Sequence, residues 1–141
     1  MPKLDDKISY QSGYKYQLYA SYTHGLQIIP PDGTVKLPFI TWHEDGYLII
    51  QSGYAWDGPS GPTWDTDTFM RGSLVHDAMY QLMRMGEMSN IYREEADKLL
   101  RDICIEDGMW RFRANYVYRA VRRCGKKYTE EAGLKETKTA P

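Results

Sequence analysis

The sequence has few cysteines, no long apolar segment and almost no net charge. Its two cysteines, Cys104 and Cys124, have neither the spacing of a zinc-binding pair nor the density of a small secreted disulfide protein, so two reduced core thiols are expected. No segment approaches the roughly 20 apolar residues of a membrane span, and no N-terminal signal peptide is recognisable. A soluble protein made in a cytoplasm is therefore expected, although export by another route stays open.

The composition is that of a folded domain. Of the 141 residues, 42% are hydrophobic and 26% are charged, which excludes a disordered chain. The net charge of -1 argues against a protein that binds nucleic acid over its whole surface. Twelve Tyr and four Trp are present, and these side chains suit half-buried strands and interfaces because each carries a polar group on an apolar ring.

The N-terminal half has the signals of an antiparallel sheet. Residues 14–22 alternate between apolar and polar side chains, which predicts a strand. Residues 35–42 predict another, with Pro38 placing it at a sheet edge or a bulge. The Asp-Gly pair at residues 45–46 predicts a hairpin turn, from which residues 47–51 return.

The second half has helical periodicity after a loop rich in Gly, Pro and Asp at residues 56–63. Apolar side chains recur at spacings of three and four, and glycines mark the ends of the segments. The predicted helices run from about Phe69 to Gly86, from Ser89 or Asn90 to about Glu106, and from about Met109 to Cys124.

These elements predict a single α+β domain over residues 1–125. It consists of a small N-terminal antiparallel sheet, the Gly/Pro/Asp loop and three helices, of which the first two are antiparallel because a short turn joins them. Residues 126–141 are charged and poor in apolar side chains, so a mobile tail is expected there. The oligomeric state stays open.

The candidate chemistry lies on the first two helices. His76 and Tyr80 are four residues apart and share a helix face, whereas Asp77 points about 100° away. An imidazole base needs a partner that fixes its tautomer, and that partner must come from another element. Asp97 is the best placed acid, because it lies deep in the second helix among apolar neighbours.

The segment HDAMYQLMRMG, followed by YREEADKLLRDI, resembles the paired-helix core of calcium-dependent sn-2 phospholipases, most closely the compact viral and microbial forms. The resemblance covers about residues 56–103. It implies that His76 activates a water molecule, that Asp97 orients His76 and that Tyr80 braces Asp97. It also implies a calcium ion held by Asp77 and Asp57, with backbone carbonyls of the loop around Asp57 as further ligands.

The order of GYAWDGPSGPT and then LVHDAMYQLMR resembles a phage and prophage family called domain-of-unknown-function family 1353. This resemblance covers about residues 14–103. It implies viral origin and synthesis in the cytoplasm of a bacterial host, with carriage in the virion as a further expectation. It implies no known activity, and other phage structural proteins become expected partners.

The third helix carries basic side chains and no acid. Such a face can bind an anionic membrane surface, an acidic partner or DNA, and nucleic acid is the least favoured of these. The alternative is a solvated face that balances the acidic second helix. The residues of this predicted binding face are Arg111, Arg119, Arg122 and Arg123.

Two functions therefore stay open. One is a phage accessory or virion-associated protein of unknown activity with a His-Asp site. The other is a calcium-dependent, phospholipase-like acyl hydrolase that uses His76 with Asp97. Loss of calcium-dependent fatty acid release on substitution of His76 would separate them.

Overall fold

The computed structural model describes residues 10–11, 16–56 and 67–130. The chain divides after Asp57 into two compact units, and in the described ranges the strands lie in the first unit and the helices in the second. The fold is α+β, with antiparallel sheets followed by three helices, as predicted.

The strands of the first unit form two antiparallel sheets rather than the one that was predicted. The strands in the described residues are β1 Tyr10–Gln11, β2 Tyr16–Leu18, β3 Tyr22–Gly25, β4 Val35–Lys36, β5 Ile40–Trp42, β6 Tyr47–Ile50 and β7 Ala55–Trp56. A three-stranded sheet has the order β1-β2-β7 and a four-stranded sheet has the order β3-β6-β5-β4.

The prediction of one strand over residues 14–22 was wrong at its centre. The chain bends at Tyr19 and Ala20, so β2 pairs with β7 and β3 pairs with β6. Alternation continues across the bend, which is why the sequence pattern does not reveal that the two segments belong to different sheets. Ser52 Oγ donates a hydrogen bond of 2.8 Å to the Tyr19 carbonyl and stabilises the backbone there.

The hairpin predicted at residues 45–46 is confirmed. It joins β5 to β6, and Gly46 has a φ of 95°, a conformation that only glycine adopts at little cost. Pro38 divides the other predicted strand into β4 and β5, which pair with each other, and β4 lies at the sheet edge. The core of this sheet consists of side chains with no solvent exposure: Tyr22, Ile40, Trp42, Leu48 and Ile50.

The second unit contains the three predicted helices. The first and third begin within two residues of their expected starts, whereas the second begins at Arg93, after the cap expected at Ser89 or Asn90. Gly86 ends the first helix with a φ of 78°, and Glu87 N donates to Leu82 O at 2.8 Å, which closes the last turn. None of the helices in the described residues is both long and apolar enough to cross a membrane. The helices are α1 Asp67–Arg84, α2 Arg93–Glu106 and α3 Arg111–Cys124.

The start of α2 is preceded by a 3-10 turn, Asn90–Tyr92. Ser89 caps this turn, since its side chain accepts a hydrogen bond of 3.2 Å from Ile91 N. Gly108, with a φ of 107°, separates α2 from α3. The capping residue was therefore predicted correctly, but it begins a 3-10 turn and not the α-helix itself.

Helices α1 and α2 are antiparallel, as predicted. Arg71 near the start of α1 binds Asp107 beyond the end of α2, with Nε to Oδ2 at 3.0 Å, whereas Tyr80 near the end of α1 contacts Arg93 at the start of α2. Arg71 also binds Glu106 and is only 6% exposed. An apolar cluster joins all three helices: Phe69, Leu100, Cys104, Met109, Ala114 and Val117.

The spacing of apolar side chains predicts that α3 buries one face, and only part of that face is buried. The predicted face consists of Trp110, Ala114, Val117, Val121 and Cys124. Ala114 and Val117 are buried as expected, but Trp110 is 72% exposed and Cys124 is also exposed. Both cysteines are free, as predicted, and only Cys104 lies in the core. Met109 occupies the apolar position expected for Trp110, because the helix begins at Arg111.

The first residues of the predicted tail form a second 3-10 turn, Lys126–Thr129. Thr129 is 1% exposed, and Arg84 Nη1 donates to Tyr128 O at 3.0 Å, so this turn packs against the end of α1. Residues 131–141 lie outside the described part of the chain, and a single domain with a tail stays a prediction.

A candidate catalytic site around His76 and Asp97

The candidate site is built around the carboxylate of Asp97, which has no solvent-exposed surface. Asp97 lies on the inner face of α2, between the buried positions Ala96 and Leu100. A buried charge is costly unless several partners neutralise it and donate hydrogen bonds to it. In this structure the partners come from α1 and α3, so three helices meet at one carboxylate.

His76 is the first of these partners. Its Nε2 lies 2.7 Å from Asp97 Oδ1, so the contact expected from the sequence is present. Because the ionised carboxylate can only accept, Nε2 is the protonated nitrogen and donates to Asp97. In the neutral imidazole, Nδ1 is then the proton-accepting nitrogen. His76 is 6% exposed.

Tyr80 is the second partner and lies one helical turn after His76. Its hydroxyl donates to the same oxygen, Asp97 Oδ1, at 2.5 Å. The rings of His76 and Tyr80 lie with their centroids 4.1 Å apart, so Tyr80 also restricts the imidazole. The structure thus brings together the three residues His76, Asp97 and Tyr80 that the sequence singled out.

Two arginines complete the network and were not assigned to it from the sequence. Arg122 of α3 donates from Nη1 to Asp97 Oδ2 at 2.8 Å. Arg93 of α2 donates from Nε to Tyr80 Oη at 3.2 Å, and its Nη2 binds the carbonyls of Val121 and Arg122, both at 2.8 Å. A cation at these last carbonyls of α3 also complements the helix dipole.

The surroundings shift the pKa values of all three members. Burial lowers the pKa of His76, but the carboxylates of Asp77 and Asp97 raise it by more than burial lowers it. The pKa of His76 is therefore above its ordinary value. Burial raises the pKa of Asp97, but the contacts to His76, Tyr80 and Arg122 outweigh this effect and lower it. Burial and the negative Asp97 raise the pKa of Tyr80. Asp97 is therefore ionised and Tyr80 neutral across the physiological range.

Asp77, the predicted calcium ligand, lies on the Nδ1 side of the imidazole. Its Oδ1 is 3.9 Å from His76 Nδ1, and its side chain is 37% exposed. Asp57, the other predicted ligand, and most of the Gly/Pro/Asp loop lie outside the described residues. Among the residues that are described, no three acidic, His or Cys side chains cluster around a common metal position. Calcium takes about six to eight oxygen ligands, so the described carboxylate alone does not form a calcium site.

The predicted basic face is divided between two environments. Arg111, Arg119 and Arg123 are exposed on α3, whereas the guanidinium of Arg122 binds Asp97 inside the helical unit. Sequence reasoning could have found Arg93, because its spacing of four residues from Asp97 places both on one face of α2. Nothing local marks Arg122 as different from Arg123.

The comparisons with known proteins identify the family. The model of a family described as "Protein of unknown function (DUF1353)" matches residues 34–121, which is more than half of the chain. The chain belongs to the DUF1353 family. The matched region begins just before β4 and ends within α3, so it contains His76, Tyr80 and Asp97 and stops one residue before Arg122. No curated protein and no solved structure matches this DUF1353 chain.

Proposed function

We propose that this DUF1353 protein is a phospholipase-like acyl hydrolase in which His76 is the general base and Asp97 orients it. The observation that carries the proposal is the 2.7 Å contact between His76 Nε2 and the buried Asp97 carboxylate. This contact fixes the tautomer and leaves Nδ1 as the proton acceptor on the side of the half-exposed Asp77.

The chemistry follows from these positions. Nδ1 of His76 accepts a proton from water while the water oxygen attacks the ester carbonyl carbon, and the carbonyl π electrons move to its oxygen. When this tetrahedral species collapses, the ester C–O bond breaks and the imidazolium returns the proton to the departing alcohol oxygen. The products are a carboxylic acid and an alcohol. Asp97 stays ionised and stabilises the imidazolium between the two proton transfers.

Calcium is part of the proposal, with Asp77 and Asp57 as ligands. A bound calcium ion would supply positive charge for the oxyanion of the ester. None of the proton transfers above depends on it, so the requirement for calcium is tested separately by adding the ion or a chelator.

Replacing His76 with Ala is expected to lower fatty acid release from phospholipid vesicles by about 100- to 10,000-fold, because the general base is lost. Asp97→Asn should have a similar effect, since an amide no longer fixes the same tautomer. The measurement is the initial rate of fatty acid release, with calcium and with a chelator.

The matched control is His43→Ala, because the His43 side chain is 40% exposed beside the β5–β6 hairpin turn of the first unit and lies outside the helices. This variant should keep the wild-type rate. If the wild-type protein releases no fatty acid, or if the His76 and His43 variants are equally active, the hydrolase proposal is wrong. Circular dichroism of each variant shows whether a lost rate reflects a lost fold.

The second proposal is a phage accessory or virion-associated role without catalysis. The burial of His76 favours it, because a side chain that is only 6% exposed can serve to join α1 to α2. The partners would then be other phage structural proteins, and the protein would be made in the host cytoplasm. Under this proposal the His76 variant loses stability or assembly, and no lipid hydrolysis is found in the wild-type protein.

A further inference from the structure

The outer surface of α3 carries an unusual number of exposed aromatic side chains. Trp110 is 72% exposed, Phe112 is 68% exposed and Tyr116 is 63% exposed. Single exposed aromatic residues are normal, but three within seven residues of one helix form an apolar patch that usually contacts a partner. The Trp110 and Phe112 rings lie with their centroids 5.7 Å apart and form one apolar projection.

Exposed arginines continue this patch along the helix. Phe112, Tyr116, Arg119 and Arg123 follow one another at spacings of four, three and four, so they lie on one stripe of α3. The α3 surface is defined here as these four residues together with Trp110. Its N-terminal half is aromatic and its C-terminal half is basic, over a length of about 20 Å.

The charged side chains of α3 itself have one sign. Helix α3 contains five Arg and no acidic residue, and the exposed Lys126 and Lys127 follow it. Of the last two arginines in the helix, Arg122 donates a hydrogen bond to Asp97, whereas Arg123 is exposed. Basic residues at a helix end complement its dipole, but this effect does not account for the aromatic half.

We propose that the α3 surface binds the interface of an anionic phospholipid bilayer. Trp and Phe side chains are favoured at the level of the lipid head groups, and Arg and Lys bind the lipid phosphates. A second copy of the chain is disfavoured, because two identical α3 surfaces would bring arginines of the same charge together. A single-stranded nucleic acid is the other anionic ligand that aromatic and basic side chains can bind, and it is an outcome of the test.

This proposal goes beyond the hydrolase and does not depend on it, so binding is measured with the wild-type chain on ether-linked phospholipids, which carry no ester for a hydrolase to cleave. The experiment is co-sedimentation with vesicles of pure phosphatidylcholine and with vesicles containing phosphatidylglycerol, at low and high salt. Binding is expected only to the anionic vesicles, and it should weaken as salt rises.

Two double variants test the two halves of the surface. Arg119→Gln with Arg123→Gln should lower the partition coefficient by about fivefold for each cation lost. Trp110→Ala with Phe112→Ala should lower it by at least tenfold, because the inserted apolar area is lost. Ile91→Ala and Lys98→Gln are the matched controls, since Ile91 is 75% exposed and the Lys98 side chain 50% exposed, and neither belongs to α3. Both controls should bind like the parent.

The proposal is overturned if the protein binds neutral and anionic vesicles equally, or if the double variants bind like the controls. It is also overturned if no vesicles are bound. A dimer in sedimentation velocity that the Trp110 and Phe112 substitutions dissociate would then identify a second copy of the chain as the partner. Binding of a single-stranded oligonucleotide without binding of any vesicle would also overturn the proposal and would identify nucleic acid as the ligand. Because all substituted side chains are exposed, circular dichroism should show an unchanged fold in every variant.

Discussion

At the scale of single residues, Asp97 decides how the helical unit is held together. Its carboxylate accepts hydrogen bonds from His76, Tyr80 and Arg122, two from α1 and one from the end of α3. A guanidinium, an imidazole and a hydroxyl offset the cost of burying the charge. Each partner therefore contributes more than an isolated surface ion pair would, because its removal leaves a buried charge less well neutralised.

The Arg122→Gln variant tests this account of Asp97. Loss of the guanidinium is expected to lower the free energy of unfolding by about 1–3 kcal/mol, because one charged hydrogen bond to a fully buried carboxylate is lost. The measurement is urea unfolding at neutral pH.

Arg123→Gln is the matched control for that substitution. It makes the same chemical change at the next residue, which is exposed, and should change the stability little. Equal losses in the two variants would show that Arg122 acts through the general charge of α3 and not through Asp97.

At the scale of elements, the end of α3 approaches α1 closely enough to contact Tyr80. Gly125 ends α3 and makes this approach possible, since a Cβ atom there would lie 2.6 Å from Tyr80 Oη and 2.7 Å from Val121 O. The φ of Gly125 is -85°, which any residue can adopt, so the requirement for glycine is one of space and not of backbone conformation.

Gly125→Ala is therefore expected to destabilise the protein by about 1–3 kcal/mol, because the added methyl group has no room beside Tyr80. The measurement is again urea unfolding, together with the signal of the His76 imidazole in NMR spectra. Displacement of Tyr80 should shift that signal, since the two rings are in contact. Wild-type stability in the Ala variant would contradict the close approach of α3 to α1.

At the scale of the whole molecule, the paired charges make stability depend on pH. The pKa of His76 is raised in the folded protein, so its contribution is complete below the unfolded value and is lost as the pH rises through the raised value. The pKa of Asp97 is lowered, so its contribution is present above the unfolded value and is lost as the pH falls through the lowered value.

The difference in unfolding free energy between the wild type and His76→Gln is therefore expected to decrease from about pH 6 to about pH 9, because Gln does not titrate. Urea unfolding across this range, with calcium removed by a chelator, provides the measurement. A difference that stays constant or grows with pH would show that His76 is not more basic in the folded protein. Urea unfolding below about pH 4 compares the wild type with Asp97→Asn in the same way. The difference in unfolding free energy is expected to decrease as the pH falls, because the pKa of Asp97 is lowered in the folded protein.

The sequence by itself determined the order of elements, the α+β class and the turns at Asp45-Gly46, Gly86 and Gly108, because these depend on local periodicity and on backbone conformations that few residues adopt. It also predicted the contact between His76 and Asp97, since helix spacing and the antiparallel pairing of α1 with α2 fix which positions meet. The contact between Tyr80 and Asp97 was implied by the phospholipase resemblance, and the catalytic roles of the three residues stay a proposal.

Only the tertiary structure decided which neighbouring residues of similar type have different roles. It separated β2 from β3 into two sheets, directed Arg122 at Asp97 while Arg123 stayed exposed, and left Trp110 outside the core. Each of these outcomes depends on how α3 or a strand lies against a distant segment. Local pattern does not contain that information, because the packing partner is chosen by the sum of many weak contacts across the fold.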